Sequence, residues 1–434
     1  MSAHPSSFGI KLSCASPRHS AGPLPLSYIA FIAAHGRMLA FGFLLTLFSS
    51  FGQTFFISLS GGHIREEFGL TNAEFGLLYS IATLGSATAL IWAGRRIDTT
   101  DLRRYVTAVC LALAAACIGM ATAGHAVLLV LALFGLRLAG QGLMPHTAFT
   151  TMARRFDTGR GTALSLAALG HPTGEALLPT VMVTALALLG WRSAWAVCAV
   201  VLLAVVLPVL LWLPRAEPAA PGAALPAGTS PSARPLAVRD WTRGEVLRDP
   251  RFYMVLPALL APGFINTGVF FHQIALVESK GWPLSLFAAS FALYAGTTIV
   301  TSLTVGPLID RLGAVRLMPF YLLPLAAALL VLSSTADPLA AAGFMALAGI
   351  TAGISAIIVA AVWAELYGTR HLGAIRSLSV SVTVLATALS PGLFGWLLDR
   401  QGSFDGIALG SAAGVLAAAA LTVPAVRRRA GAER

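Results

Sequence analysis

Arg137 lies inside an apolar run, about 16 Å from the start of that run at roughly 1.5 Å per residue. A guanidinium at that depth costs at least about 3 kcal/mol to insert unless a partner answers it. It must therefore face a carboxylate, an anionic ligand or water, and two readings stand: a role in substrate or coupling chemistry, or a structural ion pair. In the next apolar run, His171 and Glu175 are four residues apart and share a helix face. Glu175 reads either as a carboxyl that exchanges a proton as its access to water changes, or as a counter-charge to Arg137. His171 reads as a hydrogen-bonding partner between helices or as a proton carrier. Further polar groups sit among aromatic residues: Gln53 beside Phe51, Phe55 and Phe56, then Asn266, His272 and Gln273 beside Phe264, Phe270 and Phe271, then Tyr294. An amide in hydrocarbon needs a partner or an aqueous cavity, so each of these lines a site or joins two helices. The chemistry these residues could do together is recognition of an anion with proton exchange; the alternative is that they pair with one another and tie helices.

Bond-breaking chemistry has no comparable support. No nucleophile, base and orienting group converge in any segment, and no metal-ligand spacing occurs. The chain has only two lysines, Lys11 and Lys280, and neither completes a phosphate-binding Gly-Lys-Ser/Thr loop. An enzyme, a cofactor, a metal and coupling to ATP hydrolysis within this chain are all unexpected.

The elements that position these residues are membrane spans. Charged residues are 11% of the 434 and hydrophobic ones 57%, with a mean hydropathy of +0.79, against roughly a quarter charged in a soluble domain. About 20 apolar residues cross a hydrocarbon core of roughly 30 Å. Twelve runs qualify: 38–60, 73–93, 104–124, 126–150, 161–189, 193–213, 251–276, 284–306, 314–334, 338–364, 376–398 and 405–426. The expected fold is all-α and polytopic, with a tail over 1–37, a six-helix bundle over 38–213, a linker over 214–250 rich in Pro, Ala, Gly and Ser, a second bundle over 251–426 and a tail over 427–434. Tyr28 onward is a candidate extension of the first helix. The connection 61–74 reads as a solvated turn, with a helix start at Thr71 or Asn72.

The net charge of +11 raises nucleic acid as a partner, and its distribution argues against it. With both termini inside, 24 of the 29 Lys and Arg fall on the cytoplasmic side, four outside (Arg65, Arg192, Lys280 and Arg400) and one, Arg137, within a span. That is the positive-inside bias of a multi-pass bacterial inner-membrane protein in contact with anionic lipid. Of four cysteines, Cys110, Cys117 and Cys198 lie in apolar runs and Cys14 in the tail, so no disulfide framework is expected.

The chain is also duplicated. Gly94 and Asp98, followed by Arg103 and Arg104, are echoed in the second half by Gly306 and Asp310, with Arg311, Gly313 and Arg316. The offset that carries Gly94 onto Gly306 also carries Gly161 onto Gly373 and Pro179 onto Pro391. Gly allows close helix approach and Asp can bond helix-terminal amides or guanidinium groups, so each loop can act as a conformational latch.

These paired Gly-x-x-x-Asp loops after the second and eighth runs resemble the signature loop of the major facilitator superfamily, and the resemblance extends along the whole twelve-span plan. The first copy departs from that pattern at Thr99 and Asp101. The Arg137–Gly142 stretch resembles the family's fourth-span Arg-and-Gly motif. Gly161, Gly170, Pro172, Gly174 and Pro179 resemble its fifth-span Gly/Pro motif. Leu136-Arg137-Leu138-Ala139-Gly140-Gln141-Gly142 and Arg160-Gly161-Thr162-Ala163 are most similar to the bacterial monocarboxylate and oxalate/formate group. The resemblance implies two pseudo-symmetric bundles that rock around a central site.

The expectation is a monomeric, proton-linked carrier of small organic anions, with Arg137 on the substrate carboxylate and Glu175, with or without His171, titrating. Gln53, Asn266, His272, Gln273 and Tyr294 would line the site. Two rivals are an exporter of cationic or neutral amphiphiles, with Glu175 facing the cation, and a membrane sensor that transports nothing.

Overall fold

The structure, a computed structural model, describes residues 24–156, 160–215, 239–368, 370–401 and 403–432. Most of the 1–37 tail with Cys14, the Pro-rich part of the linker and the end of the 427–434 tail lie outside the described residues, as does the side chain of Asp310. All regular structure among the described residues is helical. Eleven helices are long and apolar enough to cross a membrane. These are spans one to eight (Phe31–Gly52, Asn72–Asp98, Leu102–Thr122, Ala126–Arg155, Arg160–Leu189, Trp191–Trp212, Pro250–Phe271 and Leu284–Ile309) and spans ten to twelve (Leu339–Tyr367, Leu378–Arg400 and Phe404–Val426). The ninth apolar element, Leu323–Ser334, is shorter. Twelve crossings put both ends of the chain on one face, called here the near face, opposite a far face.

Three local departures from the expected pattern have physical causes. The first helix begins at Leu24 and bends at His35 (φ −120°, ψ 17°), where the imidazole lies 4.9 Å from the ring of Phe31 and 5.1 Å from that of Phe156. The connection 61–74 is not a bare turn. It holds the helix Gly61–Phe68, whose Ile64 is fully buried and which Gly69 ends in the left-handed region (φ 63°). The next helix starts where the capping signal predicts, with Glu74 N–H donating to Thr71 Oγ1 at 3.2 Å and Thr71 N–H to Glu74 Oε2 at 2.9 Å. In the ninth run, Ala314–Leu317 and Leu323–Ser334 are separated by a turn over 318–322. That turn aims the Tyr321 hydroxyl at the Ala258 carbonyl of span seven. Pro262 has no N–H to give that carbonyl its i→i−4 bond, so Tyr321 supplies the missing donor.

Spans one to six pack among themselves, as do spans seven to twelve, with spans one and four, three and six, eight and ten, and seven and eleven as close pairs. The linker from residue 239 onward packs against the second bundle. Arg243–Val246 forms a short helix with a Thr242/Glu245 capping box, and Trp241 N–H donates to the Tyr367 carbonyl at 3.0 Å.

The two halves meet chiefly through span two against span eleven and span five against span eight, one pairing made twice under the repeat. The first seam is closest near the far face. A Cβ on Gly76 would overlap the Pro391 carbonyl oxygen, and one on Gly395 that of Asn72. Asp399 caps the start of span two, accepting from Asn72 N–H at 3.2 Å, Asn72 Nδ2 at 3.0 Å and Ala73 N–H at 2.8 Å. Ser58 donates to the Phe270 carbonyl at 2.6 Å, adding a bond between spans one and seven.

Candidate functional site

The first transmembrane helix comes apart at mid-depth. Its regular part ends in a tight turn over Ser49–Gly52, Gln53 is extended (φ −84°, ψ 152°), and a short helix resumes at Thr54. Facing this break, span four widens into a π-helical stretch over Leu136–Leu143. Two glycines bring the irregular stretches together, since a Cβ on Gly140 would lie 2.7 Å from Gly52 Cα and one on Gly52 would overlap the Leu136 carbonyl oxygen. The break leaves the Gly52 carbonyl without a helical donor. Arg137 Nη1 donates to it at 3.2 Å and to Thr54 Oγ1 at 3.4 Å.

The guanidinium is 4% exposed and lies 5.1 Å over the ring of Tyr79, whose hydroxyl is 2.7 Å from Thr54 Oγ1. Its Nε has no partner. Among the described residues no carboxylate pairs with it. Arg137 is thus held by a carbonyl, a hydroxyl and a π face, all neutral, with its Nε donor unused in the protein interior.

Glu175 is placed by its own glycines. Gly170 and Gly174 press span five onto span one, where a Cβ would overlap the Phe43 carbonyl oxygen and Ser50 Oγ respectively. The carboxyl of Glu175, 8% exposed, has His171 Nε2 at 3.7 Å from its Oε1. It also lies within electrostatic reach of the Tyr294 hydroxyl in span eight. The His171 side chain is 42% exposed, so the pair sets a buried acid beside a half-exposed imidazole. Tyr294 accepts from Asn266 Nδ2 at 3.4 Å. Around them stands an aromatic group from both halves: Phe270 is 4.9 Å from Phe291 and 5.3 Å from Tyr294, and Phe55 is 5.6 Å from Phe291.

Other sequence candidates fall elsewhere. Gln53 is half-buried at the break itself. His272 Nε2 donates to the Pro391 carbonyl at 2.8 Å, and Gln273 Nε2 to the Phe55 carbonyl at 2.8 Å and Ser58 Oγ at 2.7 Å. Both residues are therefore engaged in tying segments together toward the far face.

The two latch loops differ in their partners. Asp98 pairs with Arg154 at the end of span four, which also donates to the Ile97 carbonyl at 3.3 Å. His146 Nε2 donates to the Gly94 carbonyl at 3.1 Å. Arg103 and Arg104 offer their backbone amides to Asp101 at 3.0 and 3.2 Å, and the Arg103 side chain donates to the Leu211 carbonyl at 3.3 Å. In the second loop, Glu365 accepts from Val315 N–H at 3.1 Å while Gly313 (φ 86°) leaves space beside its carboxylate. Arg311 and Arg316 are exposed and Gly306 has open space at its Cβ position.

Sequence reasoning did not single out Gly52, Thr54, Tyr79, Arg154 as the partner of Asp98, or Asp399. The available signal for Thr54 was positional, because the repeat offset carries it onto Asn266. No group of three or more His, Cys, Asp or Glu that could hold a metal occurs among the described residues.

The family model described as Major Facilitator Superfamily matches residues 42–299 and 262–434. A 3-(3-hydroxy-phenyl)propionate transporter of Escherichia coli (strain K12) is 27% identical over 371 residues, covering 83% of this chain and 86% of that one. The nucleoside transporter NupG superposes with a TM-score of 0.67 at 12% identity, over 89% of this chain and 98% of that one. A bacterial homologue of the human lysosomal transporter Spinster, in an inward-facing and unoccupied conformation, superposes with a TM-score of 0.59 at 17% identity, over 93% and 95%.

Proposed function

The chain belongs to the Major Facilitator Superfamily and is a multi-pass membrane transporter, and from that premise we propose that it carries small organic anions in a proton-linked cycle of alternating access. The observation that carries this reading is Arg137: a buried guanidinium with an unused Nε donor and, among the described residues, no carboxylate partner. A forked cation of that kind suits a planar carboxylate, and a ligand that supplies the negative charge removes the cost of leaving it unpaired. The aromatic group of Phe55, Phe270 and Phe291 suits the apolar body of the same ligand. The relative named for an aromatic propionate supports an aromatic monocarboxylate as the substrate class.

Glu175 with His171 is the proton-exchanging pair. A nearly buried carboxyl beside a half-exposed imidazole suits that role, and spans two and eleven are in contact near the far face. The near face is cytoplasmic, both termini and the linker lie there, and the membrane is a bacterial inner membrane. The protein works as a monomer, as two six-helix bundles over 38–213 and 251–426 joined by the linker 214–250. The latch loops around Asp98 and Asp310 stabilise one of the two arrangements.

The test is internal pH in proteoliposomes. Adding 3-phenylpropionate outside should acidify the lumen with the parent protein and leave it unchanged with Glu175→Gln. Acidification of equal size in both would remove Glu175 from the coupling step, and a pH change produced only by cationic amphiphiles would replace the anion carrier with an exporter.

A further inference from the structure

We infer that Asn266 and Tyr294 form a hydroxyl-reading subsite, so that the preferred substrate is a carboxylic acid carrying a hydroxyl group on its body, remote from the carboxylate. This deepens the anion-carrier reading and rests on it.

Asn266 is 8% exposed and Tyr294 7%. The amide nitrogen of Asn266 donates to the Tyr294 oxygen at 3.4 Å, while Asn266 Oδ1 has no partner. Because Tyr294 accepts in that bond, its own hydrogen is free to point elsewhere. The pair therefore presents one acceptor and one donor side by side, the complement of a hydroxyl, which also gives one and takes one. A buried unpaired amide oxygen carries the full cost of its desolvation, which a ligand hydroxyl would relieve.

Placement fits an elongated ligand held at both ends. Asn266 is the repeat counterpart of Thr54, the hydroxyl that accepts from Arg137. Thr54 thus meets Arg137 in one half, while its counterpart Asn266 meets Tyr294 in the other. Rings stand beside both pairs. Tyr79 under the guanidinium is 4.5 Å from Phe271, and Phe270, one helical turn beyond Asn266, is 5.3 Å from Tyr294. An acid bound at Arg137 would lay an aromatic body along these rings and bring its far substituent to the Asn266–Tyr294 pair.

The experiment compares uptake of 3-phenylpropionate and 3-(3-hydroxyphenyl)propionate by full-length protein in proteoliposomes. The parent should favour the hydroxylated acid by at least about tenfold in kcat/KM, which corresponds to one net hydrogen bond of about 1.4 kcal/mol. Tyr294→Phe, which keeps the ring and its packing, and Asn266→Leu should each bring the ratio of the two acids to within about twofold. An unchanged preference in Tyr294→Phe overturns the subsite even if Asn266→Leu fails to assemble. A parent that takes both acids equally overturns the subsite and leaves the anion carrier standing, whereas a parent that takes neither overturns both.

Discussion

The two halves descend from one pattern and solve the same structural problem with different residues, as the ends of the third and ninth helices show. The carbonyls of Ala123 and Thr335 are repeat counterparts and both lack helical donors. Arg192, at the start of span six, donates to the Ala123 carbonyl at 2.5 Å and to the Ala121 carbonyl at 2.9 Å, and is paired with Glu67. In the second half the donor is Lys280, from the connection between spans seven and eight, at 3.0 Å from the Thr335 carbonyl and 2.6 Å from Asp405. The orphan carbonyl is inherited, while the segment that supplies the cation and the segment that supplies the acid have changed places.

Deeper in the spans the difference is one of charge. Where the first half has Arg137, the second has Gly349, pressed so closely on span eight that a Cβ would overlap the Tyr294 carbonyl oxygen. Where the first has Glu175, the second has Thr387, whose hydroxyl donates to its own helix at Thr383, 2.9 Å away. Charge is concentrated in one bundle, and the other offers neutral polar groups and rings. A rocking cycle needs such asymmetry if one half is to hold the anion and the proton while the other reads the rest of the ligand.

The largest expected effect comes from removing that charge. Arg137→Ala should lower anion uptake about 100-fold, in line with the loss of a charge-assisted hydrogen bond of up to about 3 kcal/mol. Arg137→Lys should lose about tenfold, since it keeps the charge and loses the fork. Gly349→Ala should instead reduce the amount of assembled protein without changing which acids compete for uptake. Normal uptake by the Arg137→Ala variant at equal insertion would move anion recognition out of the first half.

An intermediate effect is expected at the seams between halves. Spans two and eleven touch through Gly76, Gly392 and Gly395, whereas the corresponding positions in spans eight and five are Ala288, Thr180 and Val183. Backbone contact at the first seam leaves no room for a side chain. Gly76→Val should therefore wedge the far face open and raise labelling of a cysteine placed at Ser58 by roughly fivefold, equivalent to about 1 kcal/mol. Ala288→Val, at a seam already built with side chains, should change labelling less than twofold. Equal labelling in the two variants would show that both seams open alike.

How far these features were legible in the sequence differs by kind. Depth was readable by counting, since at about 1.5 Å per residue Arg137 and Glu175 fall near mid-span whatever their neighbours. Azimuth was not. Whether the two charges pair depends on how Gly170 and Gly174 seat span five on span one, and no spacing within one helix encodes that. The break at Gln53 carries no proline and follows from Gly52 meeting Gly140 of another span, a coincidence visible only after packing. His272 and Gln273 read equally as lining or tying groups because both uses want a polar side chain among aromatics. The loop motifs placed Asp98 at a helix end, but its partner Arg154 lies 56 residues away, beyond any local pattern.

The smallest effect, and the finest test of the comparison, is acid sensitivity at the far-face pairs. The hydrogen bond from Arg192 holds the Glu67 carboxyl below the usual glutamate range against an opposing desolvation, helped by the Trp191 indole and the guanidinium charge. A carboxyl with a lowered folded-state pKa contributes stability that is complete above its unfolded value, about 4.3, and is lost as pH falls through the lower folded value. The pair is exposed, so the contribution is modest and screened by salt. Arg192, by contrast, also answers two backbone carbonyls that no pH change releases. Glu67→Gln should therefore flatten part of the fall in thermal midpoint between pH 5 and pH 3, while Arg192→Ala should lower the midpoint at every pH. In the second half the same logic makes Lys280→Ala, which strips the Thr335 carbonyl of its donor, more damaging than Asp405→Asn. If the acid variants cost as much as the cation variants, the ion pairs and not the orphan carbonyls would be what the duplication preserved.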